Sequence, residues 1–162
     1  MAIAYQVTFD CADPAKLSEF WAATLGFQLD SPPPGFASWP DFLKSMNVPE
    51  ENWNDASAIV DPDGVGSRIY FQKVPEGKVV KNRLHLDLRV SGPRGTSGEK
   101  NREKIYQEVA RLQGLGATKF HEHNEMGEFW IIMQDPEGNE FCVEKGPGDV
   151  KETSTETAAT PA

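Results

Sequence analysis

The sequence predicts an α+β fold made of two copies of one strand–helix–strand–strand–strand module. Three repeated features predict it. An alternating strand precedes a helix in each half, at Tyr5–Asp13 and again at Leu84–Val90. Each helix closes on a Leu-Gly pair, Leu25-Gly26 and Leu115-Gly116. Each half then ends in two strands joined by an Asp-Pro-acid-Gly turn, Asp61–Gly64 and Asp135–Gly138. Any one of these is weak; the same ordered set found twice is a repeat of a whole supersecondary unit.

In chain order, Val7, Phe9 and Cys11 are apolar while Gln6, Thr8 and Asp10 between them are polar, the period of a half-buried strand. Asp13-Pro14 opens the first helix, since Asp is a good N-cap and Pro suits the first helical position. Leu17, Phe20, Trp21 and Leu25 give that helix one apolar face, and Gly26 suits its C-terminal cap. A faint second strand is expected near Phe36–Trp39, followed by an insert over 41–55 that carries a short helix. Ala58–Asp61 and Arg68–Val74 are the last two strands of the first half, with Pro after Asp and Gly in fourth place setting a tight turn between them.

The second half follows the same order. Leu84, Leu86, Leu88 and Val90 face one way, and His85, Asp87 and Arg89 the other. Thr96–Glu99 has the form of a capping box, and Ile105, Val109 and Leu112 mark the helix face. Thr118–Glu122, Trp130–Met133 and Glu140–Lys145 are the remaining strands. Module one is expected over about 4–75 and module two over about 82–145, together one domain over 1–145. The segment 146–162 is nearly devoid of apolar side chains and is expected to be disordered.

A net charge of −9 excludes the basic face that nucleic acid or an anionic membrane requires. No apolar run approaches the roughly 20 residues that span a bilayer. Cys11 and Cys142 lack metal-type spacing and do not form a disulfide framework, so a cytoplasmic location is expected.

The stretches "DPAKLSEFWAATLGF", "IVDPDGVGSRIYFQKVPEGKVVKNRLHLDLRV" and "MQDPEGNEFCVEK" resemble the vicinal oxygen chelate superfamily, in its glyoxalase-like and bleomycin-resistance-like branch. The resemblance spans residues 4–145. It implies that the two βαβββ modules curl into a mixed sheet around a cavity, with the helices on the outer face. It also implies that a metal, where bound, takes one ligand from the first and one from the last strand of each module. Those positions are Gln6 and Gln72 in the first module and His85 and Glu144 in the second. His and Glu suit zinc, nickel, iron or manganese, whereas a second Gln at 72 departs from the expected carboxylate. A divalent metal and a metal-free cavity are therefore both open.

Two functions stay open as well. One is a metal-assisted lyase or isomerase in which His85 or Glu144 moves a proton beside a carbonyl and Arg83 or a metal steadies the enolate. The other is a metal-free protein that binds a small molecule or drug. Arg83, Asp87, Tyr70, Trp130 and His121 are the expected substrate contacts. The basic residues Arg68, Lys78, Lys81 and Arg83 gather at the junction of the modules, where an anionic substrate or simple solvation accounts for them. His121 and His123 share a strand face and are a second, weaker ligand pair. The resemblance further implies a homodimer with a small-molecule ligand.

Overall fold

The computed structural model describes residues 3–91, 99–125 and 128–146. Two four-stranded mixed sheets and three α-helices give the α+β fold with two modules that the repeat predicts. Module one runs β1 (Val7–Cys11), α1 (Pro14–Leu25), β2 (Gln28–Leu29), α2 (Trp39–Ser45), a 3-10 turn at Glu50–Asn52, β3 (Ala56–Val60) and β4 (Ile69–Lys73). Module two runs β5 (Asp87–Ser91), α3 (Glu99–Gly114), β6 (Thr118–Glu125), β7 (Glu128–Gln134) and β8 (Glu140–Lys145). The strand orders are β1-β4-β3-β2 and β5-β8-β7-β6, the same order in each module. In both, the first strand pairs in parallel with the last and the other pairs are antiparallel.

The first helix begins and ends as its sequence dictates. The Asp13 carboxylate accepts from the Lys16 amide at 3.3 Å, Pro14 fills the first turn, and Gly26 adopts the left-handed conformation at φ 72°. The insert differs from expectation. Ser38 caps Asp41 and Pro40 sits in the first turn, so Trp39 starts α2 instead of ending a strand. The second strand is instead the two residues after the Gly26 turn, Gln28 and Leu29. The fifth strand also starts late. His85 precedes its first residue, and Leu84, expected on the apolar face, is exposed. The ladder reaches back only to Leu86, whose carbonyl accepts from the Cys142 amide at 2.9 Å. Of the expected capping box, Thr96 lies outside the described residues, as does the tail from residue 147.

One apolar cluster draws on both modules. Leu17, Phe20 and Trp21 of α1 join Ile59, Ile69 and Phe71 of the first sheet, and Ile105, Val109 and Leu112 of α3 join Ile131, Met133, Phe141 and Val143 of the second. Trp21 crosses the seam, its ring centroid 5.1 Å from that of Phe141 and its indole N–H donating to Asp135 at 3.1 Å. Module two also caps both ends of α1. Glu137 accepts from the amides of Ala12 and Asp13 at 2.7 and 2.8 Å, and Arg111 donates to the carbonyls of Ala23 and Thr24 at 3.0 Å each. A carboxylate before a helix start and a guanidinium at its end satisfy orphan backbone groups and oppose the helix dipole. The sheet faces turned away from this cluster carry the polar side chains, and each forms a hollow.

Candidate functional site

The polar face of the second sheet is ordered in rows by its register. Asp87 pairs with Cys142, Cys142 with Ile132, and Ile132 with His121. The next row is Arg89, Glu144, Trp130 and His123. Side chains two apart on a strand face the same way, so both rows and His85 stand on one side. All of them but His121 line a hollow of about 670 Å³, and His121 stands behind His123.

Within it, His85 Nδ1 is 2.9 Å from the Asp87 carboxylate, and the Cys142 sulfur is 3.8 Å from the same nitrogen. Arg89 Nε donates to Glu144 at 3.3 Å. The His123 ring stacks on Trp130 at 4.7 Å with 14° between planes, and the His121 ring meets His123 edge-on at 4.4 Å. Two of the 3 histidines of the chain therefore stand on this sheet and the third, His85, just before its first strand. Burial pushes the Cys142 thiol up to about 12, and the Asp87 charge beside it adds to the effect. The thiol is held protonated and is a poor nucleophile as it stands.

The four positions proposed as a ligand set from the sequence do not converge. Glu144 lies opposite Arg89, four residues beyond His85, or about 13 Å along the strand. Its carboxylate is taken by Arg89, while His85 is taken by Asp87. The first module repeats the offset: Gln72 lies opposite Asp10, four residues beyond Gln6. Gln6 accepts from Arg68 at 3.0 Å, and the Arg68 guanidinium lies 5.4 Å from the Tyr70 ring centroid. The last-strand residue opposite the side chain two beyond Gln6 or His85 is Tyr70 in one module and Cys142 in the other, by the pairs Thr8–Tyr70 and Asp87–Cys142.

A metal does fit a different set. The donor atoms of His85, Asp87 and Cys142 all lie within 4.8 Å of one another, the one such group among the described residues. A nitrogen, a carboxylate oxygen and a sulfur are donors that zinc and its neighbours accept. Cys142 is the member sequence reasoning passed over, although the alternation Glu140, Cys142, Glu144 already placed it on the polar face. Arg89 was passed over as well, and it stands in this hollow where Arg83 does not. Two of the four junction cations are paired locally, Arg68 with Asp30 at 2.8 Å and Lys78 with Glu140 at 3.0 Å.

The family model of the glyoxalase-like domain matches residues 6–144. A search of curated proteins gives no match. Among solved structures, the chain resembles a glyoxalase/bleomycin resistance protein/dioxygenase family enzyme from Burkholderia phytofirmans at 18% identity and a TM-score of 0.55, covering 86% of this chain and 95% of that one. It also resembles the fosfomycin resistance protein FosX from Listeria monocytogenes, crystallised with manganese and dihydroxypropylphosphonic acid, at 11% identity and a TM-score of 0.58, covering 90% and 91%. A hypothetical protein from S. aureus matches at 14% identity and 0.55, covering 90% and 99%. Identities this low speak to the fold and leave the chemistry to the residues.

Proposed function

The chain belongs to the glyoxalase-like domain family, and we propose that within it this protein is a lyase or isomerase that moves a proton beside the carbonyl of a small molecule held in the hollow of module two. The observation that carries this reading is the His85–Asp87 pair at 2.9 Å inside that hollow. A carboxylate on one ring nitrogen fixes the tautomer and orientation of an imidazole and leaves the other nitrogen to take a proton.

In the proposed step, the C–H bond next to the carbonyl breaks and its proton passes to His85 Nε2. The bonding electrons move into the carbonyl, giving an enolate. Asp87 stabilises the resulting imidazolium. Arg89, positioned by Glu144, donates to the enolate oxygen, the part first assigned to Arg83. Where the carbon that lost its proton carries a hydroxyl, that hydroxyl's proton passes to the former carbonyl oxygen, and return of the first proton from His85 to the former carbonyl carbon completes a hydroxycarbonyl isomerisation. Trp130 and His123 form a wall of stacked rings against which the ligand rests, with His121 at its edge. Glu144 thus acts through Arg89, and Tyr70 belongs to the other module's hollow.

The His85, Asp87 and Cys142 cluster favours a second form of the same reading, in which these three hold a zinc-like ion. When bound, such an ion would supply Lewis-acid polarisation of the substrate oxygen. The protein is further read as a cytoplasmic homodimer. Two buried free cysteines suit a reducing compartment, and the homodimer follows the family resemblance.

The test begins with a thermal-shift screen of small carbonyl compounds, since a ligand stabilises the native state by mass action. Hits are then incubated in deuterated buffer, and exchange at the carbon beside the carbonyl is followed by NMR. Wild type is expected to catalyse exchange, and His85→Gln to keep binding while losing it by about a hundredfold or more. Equal exchange in His85→Gln would remove the base. Metal content measured on protein purified without chelator, and again on Cys142→Ser, separates the two forms.

A further inference from the structure

Module one carries a second hollow, of about 490 Å³, that shares no lining residue with the first. Its origin is visible by comparing the modules at equivalent positions. Ala56 and Ala58 lie opposite Gln72 and Tyr70, where the second module has Trp130 and Ile132 opposite Glu144 and Cys142. Alanines thus leave the floor open in one module where large side chains fill it in the other.

The walls come from the insert over 30–55. In the second module only residues 126 and 127 separate the corresponding strands. None of the residues of α2 is buried, and none of the insert enters the apolar cluster. Its apolar side chains Trp39, Leu43 and Trp53 line the hollow instead, with Tyr70 from β4. The polar edges of both indoles are already satisfied, Trp39 Nε1 by the Asp30 carbonyl at 2.8 Å and Trp53 Nε1 by the Val48 carbonyl at 3.0 Å. Lys44 Nζ lies over the Trp53 ring at 5.5 Å, and the remaining ring surface is what the hollow offers. An insert that adds aromatic surface to a cavity while adding nothing to the core is suited to binding. The volume lies in the range of small-molecule sites, and an apolar lining with a few polar groups is their usual character.

Two carboxylates, Asp30 and Asp55, also line the polar end of the hollow, and each is paired, with Arg68 at 2.8 Å and with Lys73 at 3.8 Å. Arg68 spends Nε on Asp30 and Nη1 on Gln6, leaving Nη2 without a hydrogen bond among the described residues. The Tyr70 ring lies 5.4 Å from that guanidinium, and its hydroxyl likewise has none among the described residues. Two unused donors in one aromatic-lined hollow suit a carboxylate.

We propose that this hollow is a binding site for a planar aromatic carboxylate, with the rings between Trp39 and Trp53 and the carboxylate at Arg68 and Tyr70. The site stands on the insert and its register, independently of the proton-transfer reading of module two.

Naphthoate is the probe, followed by the indole N–H signals of the four tryptophans, each assigned by a Trp→Phe variant. Saturable shifts of Trp39 and Trp53 are expected, with Trp21 and Trp130 unmoved. Cyclohexanecarboxylate, which lacks the flat rings, and naphthylmethylamine, which reverses the charge, are each expected to bind at least about tenfold more weakly. Ala56→Trp places in module one the side chain that module two carries at the same position. It is expected to keep the melting temperature and lose binding. No saturation into the millimolar range, shifts confined to Trp130, or equal binding by Ala56→Trp would each overturn the proposal. So would Trp39 and Trp53 signals that move on dilution of the free protein, since a second copy would then cover the hollow. A naphthoate site that survives in His85→Gln keeps this result separate from the fate of the module-two reading.

Discussion

The two Asp-Pro-acid-Gly turns have nearly the same sequence and very different surroundings, which makes Asp→Asn in each a matched pair. Asp135 is buried. Its Oδ1 accepts from the amides of Glu137 and Asn139 at 3.0 and 2.9 Å, and Oδ2 accepts from the Trp21 indole at 3.1 Å, with the Asn139 side chain donating to both. In Asp135→Asn the new side-chain amide would have to present its NH₂ group to donors on one side. Keeping the two backbone bonds turns that group toward Trp21, whose indole is fully buried. An unsatisfied buried donor costs about 1–3 kcal/mol, and the remaining bonds weaken as they lose their charge. Relief from burying the carboxylate, which pushes its pKa up, offsets part of this. A net loss of about 3 kcal/mol follows, or roughly 6–12 °C in melting temperature for a domain of this size. Asp61 is only partly buried, and its carboxylate accepts from the amides of Asp63 in the turn and of Val65 and Gly66 just after it. Water replaces what Asp61→Asn loses, and the cost stays within about 1 kcal/mol. Calorimetric scans of both variants decide the matter. Equal losses, or a larger loss at Asp61, would refute the reasoning.

The thiols of Cys11 and Cys142 are both pushed up to about 12, chiefly by burial. Alkylation by iodoacetamide at mildly alkaline pH is expected to be at least about a hundredfold slower than in the denatured chain, and a rate matching the denatured chain would contradict that burial. The Glu122 carboxylate is held below its ordinary value by Lys119 at 2.6 Å, and by the Tyr106 hydroxyl at 2.8 Å. A depressed carboxylate pKa adds stability above the unfolded value of 4.5, and that stability is lost as pH falls through the folded value. Glu122→Gln should therefore cost up to about 1 kcal/mol in urea unfolding at neutral pH and nothing in acid. A gap that is unchanged in acid would point to packing rather than charge.

What the sequence made legible is what neighbouring residues decide. The strand and helix periods, the Asp13 cap, the Gly26 cap and both tight turns are local choices, and they stand where expected. Register is different. Whether Asp87 meets Cys142 or Glu144 depends on the hydrogen bonds between strands more than fifty residues apart, and a count along one strand cannot see it. The insert failed for another reason. Phe36–Trp39 carries the composition of a strand, but Ser38 and Pro40 open a helix there, and two residues after Gly26 suffice to complete the sheet edge.

The same register gives the duplication its meaning. Position by position, Gln6 and Thr8 of module one correspond to His85 and Asp87 of module two, and Tyr70 to Cys142. Every member of the second set can ligate a metal, and two of them exchange protons readily. The neutral side chains of the first set hydrogen-bond and pack. Module one differs in shape as well: alanines open its floor and the insert's tryptophans build its walls. A duplicated unit needs only its core face to keep the fold, so the polar faces are free to diverge. Grafting His at Gln6 and Asp at Thr8 should accordingly leave the apolar cluster untouched. It should not create a second cluster of three, because Tyr70 stands where the thiol would have to be.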